Sequence, residues 1–208
     1  MKIAVAATAD QKDELLRQGL APGVTIEWID KLSDLTETDA VIDLLFDTNE
    51  KERLNWLKNL QKKIIIVNYV DGPIQNEPPY IVRLNGWPGF LSRSIAEVYC
   101  NDEKIKKEAE KVFMAFNKKT EWTTDTPGFA TARIISMIIN EAYFALEEKV
   151  STKAEIDIAM KTGTNYPYGP FEWCDRIGIK RIYGLLKKLE TTNASYKPCD
   201  LLTKEATN

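Results

Sequence analysis

Histidine is the side chain that titrates near neutral pH without help, and this chain of 208 residues has none. Every mechanism built on an imidazole is therefore excluded, from serine and cysteine triads to His-ligated metals. The three cysteines, Cys100, Cys174 and Cys199, are odd in number, widely spaced and form no CxxC pair. They suggest neither a disulfide framework nor a zinc site, so no metal is expected, and they fit a reducing cytoplasm. Net charge is -3 with signs well mixed, which gives no reason to expect nucleic-acid binding. Proton transfer, if the chain performs any, falls to a side chain other than histidine.

The elements that would position such a group differ between the two halves. The first half alternates short apolar runs with polar helical stretches, and its spacing predicts strands over 2–8, 24–29, 40–46, 63–68, 80–84, 94–100 and 120–123. Three consecutive isoleucines, Ile64 to Ile66, suit a strand buried on both faces. Helices are predicted over 10–18, over 50–60 with Thr48 or Asn49 as cap, and over 102–116 with Asn101 as cap. Strands alternating with helices argue for a parallel sheet built from βαβ units. The apolar run from Ile3 to Ala9 reads as a buried first strand rather than a leader, and no run approaches the roughly 18 residues of a membrane span.

From Asp125 onward the texture is helical. Arg133 to Glu147 is apolar on most faces, which implies burial within a domain or against a second subunit. Ser151 is expected to cap the next helix. Gly169-Pro170 opens a short one, Gly178 precedes another, and the polar tail from Thr191 is expected to be loose.

The second half carries an ordered set of motifs: Asp125-Thr126-Pro127-Gly128-Phe129, Arg133, Asn140-Glu141-Ala142, Ile156-Asp157, Ala159-Met160, Gly163, Tyr166-Pro167-Tyr168-Gly169-Pro170-Phe171-Glu172, Asp175 and Gly178. In order and spacing they resemble the C-terminal domain of 3-hydroxyacyl-CoA dehydrogenases. Upstream, Asp39 to Asp43 and the segments around Arg83-Leu84-Asn85 and Ile95 to Val98 resemble that family's nucleotide domain. Only about ten residues, Asp30 to Asp39, fill the gap in which the family has a helical pair. The resemblance implies a shortened Rossmann-like parallel sheet domain (1–123) followed by an all-α dimerisation domain of the 6-phosphogluconate dehydrogenase-like type (124–208). It also implies an NAD-dependent oxidoreductase of fatty-acid metabolism acting on a CoA thioester, and a homodimer joined through the C-terminal helices.

The inherited site residues depart from that pattern. The glycines that let a backbone approach a pyrophosphate are matched by Ala6, Thr8 and Gln11, with Asp10 among them, and Trp28 stands where an acidic ribose ligand is expected. No bound cofactor is therefore expected. Counting back from Glu97 places Asn85 on the position of the family's catalytic His. An amide cannot accept a proton near pH 7. Glu97 reads equally as a retained functional carboxylate or as a satisfied polar residue. Asn68 matches the family, but the hydroxyls that follow it there are replaced by Tyr69, Val70 and Asp71, and Ala132 replaces an Asn beside Arg133. Trp87 and Phe90 are expected to pack in the core.

The resulting expectation is a family member without dehydrogenase activity, a pseudoenzyme that binds an acyl-CoA or another small molecule or serves as a protein partner. One alternative is a divergent working dehydrogenase with Glu97 as its base. Another is a different CoA-thioester reaction in which Glu97 abstracts a proton.

Overall fold

Small and β-branched side chains at alternating positions let the central strands be covered on both faces. The computed structural model, which describes residues 1–30, 37–46, 51–60, 63–74, 78 and 80–208, has seven strands in one sheet among those residues. They are β1 (Lys2–Ala6), β2 (Thr25–Trp28), β3 (Ala40–Asp43), β4 (Ile64–Asn68), β5 (Ile81–Leu84), β6 (Ile95–Tyr99) and β7 (Lys119–Trp122). The order is β2-β1-β3-β4-β5-β6-β7. All neighbours are parallel except β5 and β6, which run antiparallel with Leu84 opposite Val98.

Strand alternation sorts the core into two layers. Ile3, Val5, Ile42 and Ile66 pack with Leu15 of α1 (Ala9–Leu15) and with Val112 and Phe113 of α3 (Glu103–Ala115). Ala4, Ala6, Ile65 and Val67 pack on the other side with Leu57 of α2 (Lys51–Asn59). The sheet with its helices makes up the first of two compact units, Met1–Phe129; the second is Ala130–Asn208. The seven strands match the expected ones in number and order, and the shorter spans have local causes. β3 stops at Asp43 because the Asp43 carboxylate accepts the Leu45 amide at 3.1 Å and turns the chain. α3 is capped by Asp102, not Asn101, through carboxylate bonds from the amides of Lys104 and Ile105. The cap expected at Thr48 or Asn49 falls outside the described residues.

The second unit is all helical: α4 (Thr131–Glu147), α5 (Lys153–Thr164), α6 (Pro170–Ile177), α7 (Ile179–Glu190) and α8 (Asp200–Thr207). Two expectations are corrected here. The cap of α5 is Thr152 rather than Ser151, which places Glu155 at the third helical position and completes a capping box. The tail is not loose: Cys199, Leu202 and Ala206 are buried, and Asn140 holds it from α4 by donating to the Lys197 carbonyl at 2.9 Å and accepting the Cys199 amide at 2.8 Å. Polar composition hid the short apolar seam of α8. No described helix is long and apolar enough to cross a membrane.

Candidate functional site

The carboxyl ends of parallel strands are where an open α/β sheet binds ligands, because helix N-termini and loop amides converge there. In this chain that edge is laced by its own side chains. Asn68, the last residue of β4, donates to the Leu44 carbonyl at 3.3 Å and accepts the Gly86 amide at 2.9 Å. A Cβ at Gly86 would meet the Asn68 side chain at 2.8 Å, so glycine is what lets the two segments approach. Gln11 donates to the same Leu44 carbonyl at 3.1 Å.

Of the three positions expected to be degenerate, Ala6 ends β1 and is buried. Thr8 and Gln11 form a reciprocal capping box: the Thr8 amide donates to Gln11 Oε1 at 2.9 Å, and the Gln11 amide donates to Thr8 Oγ1 at 3.3 Å. Two amides at the start of α1 are thus satisfied within the chain, and Asp10 adds a carboxylate to the same first turn. This turn does not fit a pyrophosphate, which needs free amides and a backbone without side chains. At the end of β2, Trp28 carries the Lys12 ammonium 5.0 Å from its ring centroid.

Asn85 and Glu97 are brought together by the antiparallel turn from β5 to β6. The Asn85 backbone amide donates to the Glu97 carbonyl at 3.0 Å. The side chains repeat the pairing, with Asn85 Nδ2 donating to Glu97 Oε2 at 3.0 Å. Asn85 is buried, and its Oδ1 accepts the Trp87 amide at 3.4 Å. Glu97 is half-buried. Arg93 faces this carboxylate; partial burial holds the Arg93 pKa below its ordinary value, and the Glu97 charge partly offsets that. The pair is a donor–acceptor contact with no group able to take a proton except Glu97 itself. Trp87 and Phe90 are buried and fill the core beneath the loop that follows Asn85.

Two residues to which the sequence reading gave no role of their own support this turn. Arg83, fully buried two residues before Asn85, pairs with Asp125, donates to the Gly72 carbonyl, and is flanked by the rings of Tyr99 and Phe129 at 5.0 and 5.2 Å. Lys118, also buried, donates to the carbonyls of Leu91 and Arg93 at 2.5 and 2.6 Å. Burial pushes the Lys118 amine down to about 8, opposed by the Glu14 charge. An arginine in a strand and a lysine beside another lysine give no sign of burial in a sequence.

In the second unit, the Tyr-Pro-x-Gly-Pro-Phe-Glu stretch is a helix junction. Asp157 of α5 is buried and accepts the amides of Phe171 and Glu172 at 2.8 and 3.3 Å, so it caps α6. Glu172 accepts the Gly169 amide at 2.9 Å and pairs with Lys161; that pair, then the amide bond, holds its carboxyl below the usual range. These contacts cap α6 and pack it against α5.

The sequence and the fold are similar to those of known proteins. A family described as 3-hydroxyacyl-CoA dehydrogenase, C-terminal domain, matches residues 128–207. The chain is 30% identical over 181 residues to 3-hydroxyadipyl-CoA dehydrogenase of Escherichia coli, covering 86% of this chain and 34% of that protein. It is 38% identical over 100 residues to 3-hydroxybutyryl-CoA dehydrogenase of Bradyrhizobium diazoefficiens, covering 47% of this chain and 34% of that protein. The chain thus spans about a third of the length of these curated relatives. For fold alone, M. tuberculosis FadB2 superposes with a TM-score of 0.78 at 15% identity, covering 99% of this chain and 93% of that chain. (S)-3-hydroxybutyryl-CoA dehydrogenase from Ralstonia eutropha gives a TM-score of 0.75 at 18% identity, covering 99% and 93%. These matches correct the expectation that no cofactor is used. The family and the relatives matched are named dehydrogenases, enzymes that work with a redox cofactor, so absence of a cofactor is not the expectation for this chain, although its β1–α1 turn carries no glycine cradle.

Proposed function

We propose that this chain, which belongs to the 3-hydroxyacyl-CoA dehydrogenase family, binds an acyl thioester or a similar small acyl ligand without oxidising a 3-hydroxyl group. The observation that carries this reading is the Asn85–Glu97 contact at 3.0 Å. Hydride removal from an alcohol requires a base for the hydroxyl proton. The group placed to receive it is the Asn85 amide, whose nitrogen already donates to Glu97 and whose oxygen already accepts the Trp87 amide. An amide oxygen does not take a proton near neutral pH, and loss of a positioned base costs roughly 10²–10⁴ in rate. What the pair still offers is a fixed polar contact for a carbonyl or hydroxyl.

The test is twofold. Isothermal titration with acetoacetyl-CoA and butyryl-CoA should give saturable binding that weakens in Asn85→Ala. Steady-state assays with 3-hydroxybutyryl-CoA and NAD should give no turnover above background. Clear turnover overturns the reading. A second reading, a working dehydrogenase with Glu97 as base, is favoured by the half-buried state of Glu97 next to the substituted position. Turnover abolished by Glu97→Gln would identify it.

The assembly proposed is a homodimer through the C-terminal helices. It is supported by α4, on which Ile134 is 55% exposed and Met137, Ile138 and Phe144 are only half-buried. A helix apolar on so much of its circumference lacks cover, and two-fold pairing is the commonest way to provide it. A cytoplasmic setting is supported by three buried free thiols, Cys100, Cys174 and Cys199.

A further inference from the structure

Between Asn85 and β6, residues 86–94 run across the sheet end without regular secondary structure. Their backbone is held at five points by side chains from other elements, the first being the Gly86 amide on Asn68 of β4. The Gly89 amide donates to both carboxylate oxygens of Glu14 at 2.8 and 2.9 Å. Gln18 donates to the Ser92 carbonyl at 2.8 Å. Lys118 donates to the carbonyls of Leu91 and Arg93. Beneath the segment lies a cavity about the size of one water, lined by Asn85, Phe90, Leu91, Arg93 and Lys118 among others.

Lys118 sets the character of this arrangement. It is 4% exposed, and its two bonds go to neutral carbonyls. The carboxylate whose charge acts on it, Glu14 of α1, is hydrogen-bonded to the Gly89 amide. The other charged group on the cavity wall is Arg93 of the segment itself, which faces Glu97 of β6. The remaining wall, from α1, β5, β6 and α3, is the uncharged set Leu15, Leu84, Ile95, Ala96 and Phe113. An ammonium buried without a bonded counter-ion is unfavourable, and any opening that wets it is favoured by proton uptake.

We propose that residues 86–94 are a lid over the cavity beside Asn85, and that Lys118 couples opening of this lid to binding of a proton, so that the lid opens more at neutral than at alkaline pH. The lid rests on the ligand reading above only for its purpose, which is access to Asn85 and Glu97; the opening itself is measurable without any ligand. The sign follows from linkage. The open form holds the Lys118 proton at the ordinary lysine value of 10.5, and the closed form holds it only to about 8. Opening should therefore be about tenfold rarer at pH 9 than at pH 7.

Amide hydrogen exchange on the full chain tests this, with rates corrected for intrinsic exchange and checked to reflect the opening equilibrium. The Gly89, Phe90 and Arg93 amides, each hydrogen-bonded, should exchange through an opening less costly than that of Ile66 and Val82 in the sheet. Their opening constant should fall about tenfold from pH 7 to pH 9, and Lys118→Met should abolish that fall. If these amides open only together with the sheet, there is no lid. A local opening with no pH dependence removes Lys118 from the device. Should Lys118→Met fail to fold, the wild-type profile alone decides.

Discussion

Replacing Gly169 by alanine should destabilise the protein, against the usual expectation for such a change. Gly169 lies at φ -71° and ψ 166°, a conformation alanine adopts freely, so the backbone raises no objection. At compatible sites Gly→Ala usually stabilises by about 0.4–1 kcal/mol through the unfolded chain. Here the added Cβ would lie 2.3 Å from Asp157 Oδ1 and 2.4 Å from Asp157 Cβ and Cγ. Relief requires α5 and α6 to part by about 1 Å to restore van der Waals contact. That movement breaks the two bonds from Asp157 to the amides of Phe171 and Glu172. Each involves a charged acceptor and contributes about 1.5–3 kcal/mol, so, less the unfolded-chain gain, a net loss of about 2–6 kcal/mol is expected. Urea denaturation followed by circular dichroism should show a lowered midpoint with little change in slope. Asp157→Ala should not rescue it, because the Cβ–Cβ approach remains; Asp157→Gly should remove most of the added penalty. A Gly169→Ala midpoint equal to or above wild type would refute the steric argument.

Three further outcomes are expected. Asn85→His alone should leave turnover of 3-hydroxybutyryl-CoA with NAD at least 10²-fold below that of a working relative, because Ala132 and the Val70-Asp71 replacements persist; activity restored by this one change would show the rest of the site to be intact. Stability should rise with pH through the Lys118 titration, because the unfolded chain keeps that proton up to 10.5 and the folded chain releases it near 8; the gain from pH 7 to pH 10 is on the order of 2 kcal/mol, and it should be missing from Lys118→Met in denaturation curves. Light scattering should find a dimer at tens of micromolar that Ile134→Glu dissociates, and a monomeric wild type would end that proposal.

What was legible in the sequence depended on whether a residue's role repeats along the chain. Alternating apolar positions such as Ile3 and Val5 against Ala4 and Ala6 announce a strand covered on both faces, and the two core layers separate along that alternation. The Asn85–Glu97 pairing was legible through family spacing, and the antiparallel β5–β6 register explains why residues twelve apart meet. Roles set by a single distant partner were not legible. Burial of Lys118 follows from carbonyls some 25 residues away; the order of α8 follows from Asn140 on another helix. The cap of α5 was misplaced by one residue because Ser151 and Thr152 are both good caps, and only the reciprocal bond from Glu155 chooses between them.

The same distinction bears on what family membership means for this chain. The most specific motif, Tyr166 to Glu172, holds Gly169 against Asp157 and caps α6 through Asp157 and Glu172. Each part of it answers to helix packing, where a wrong residue costs stability at once. The positions that the resemblance assigns to chemistry, Ala6, Thr8, Gln11, Asn85 and Ala132, are occupied here by residues with structural contacts of their own: Thr8 and Gln11 make a helix cap, and Asn85 makes a hydrogen bond to Glu97. A fold can therefore keep its strongest signature while its reacting groups are exchanged. For this chain the resemblance is held mainly by residues that position the helices, so activity has to be read from the Asn85–Glu97 contact and from whether any group there can accept a proton.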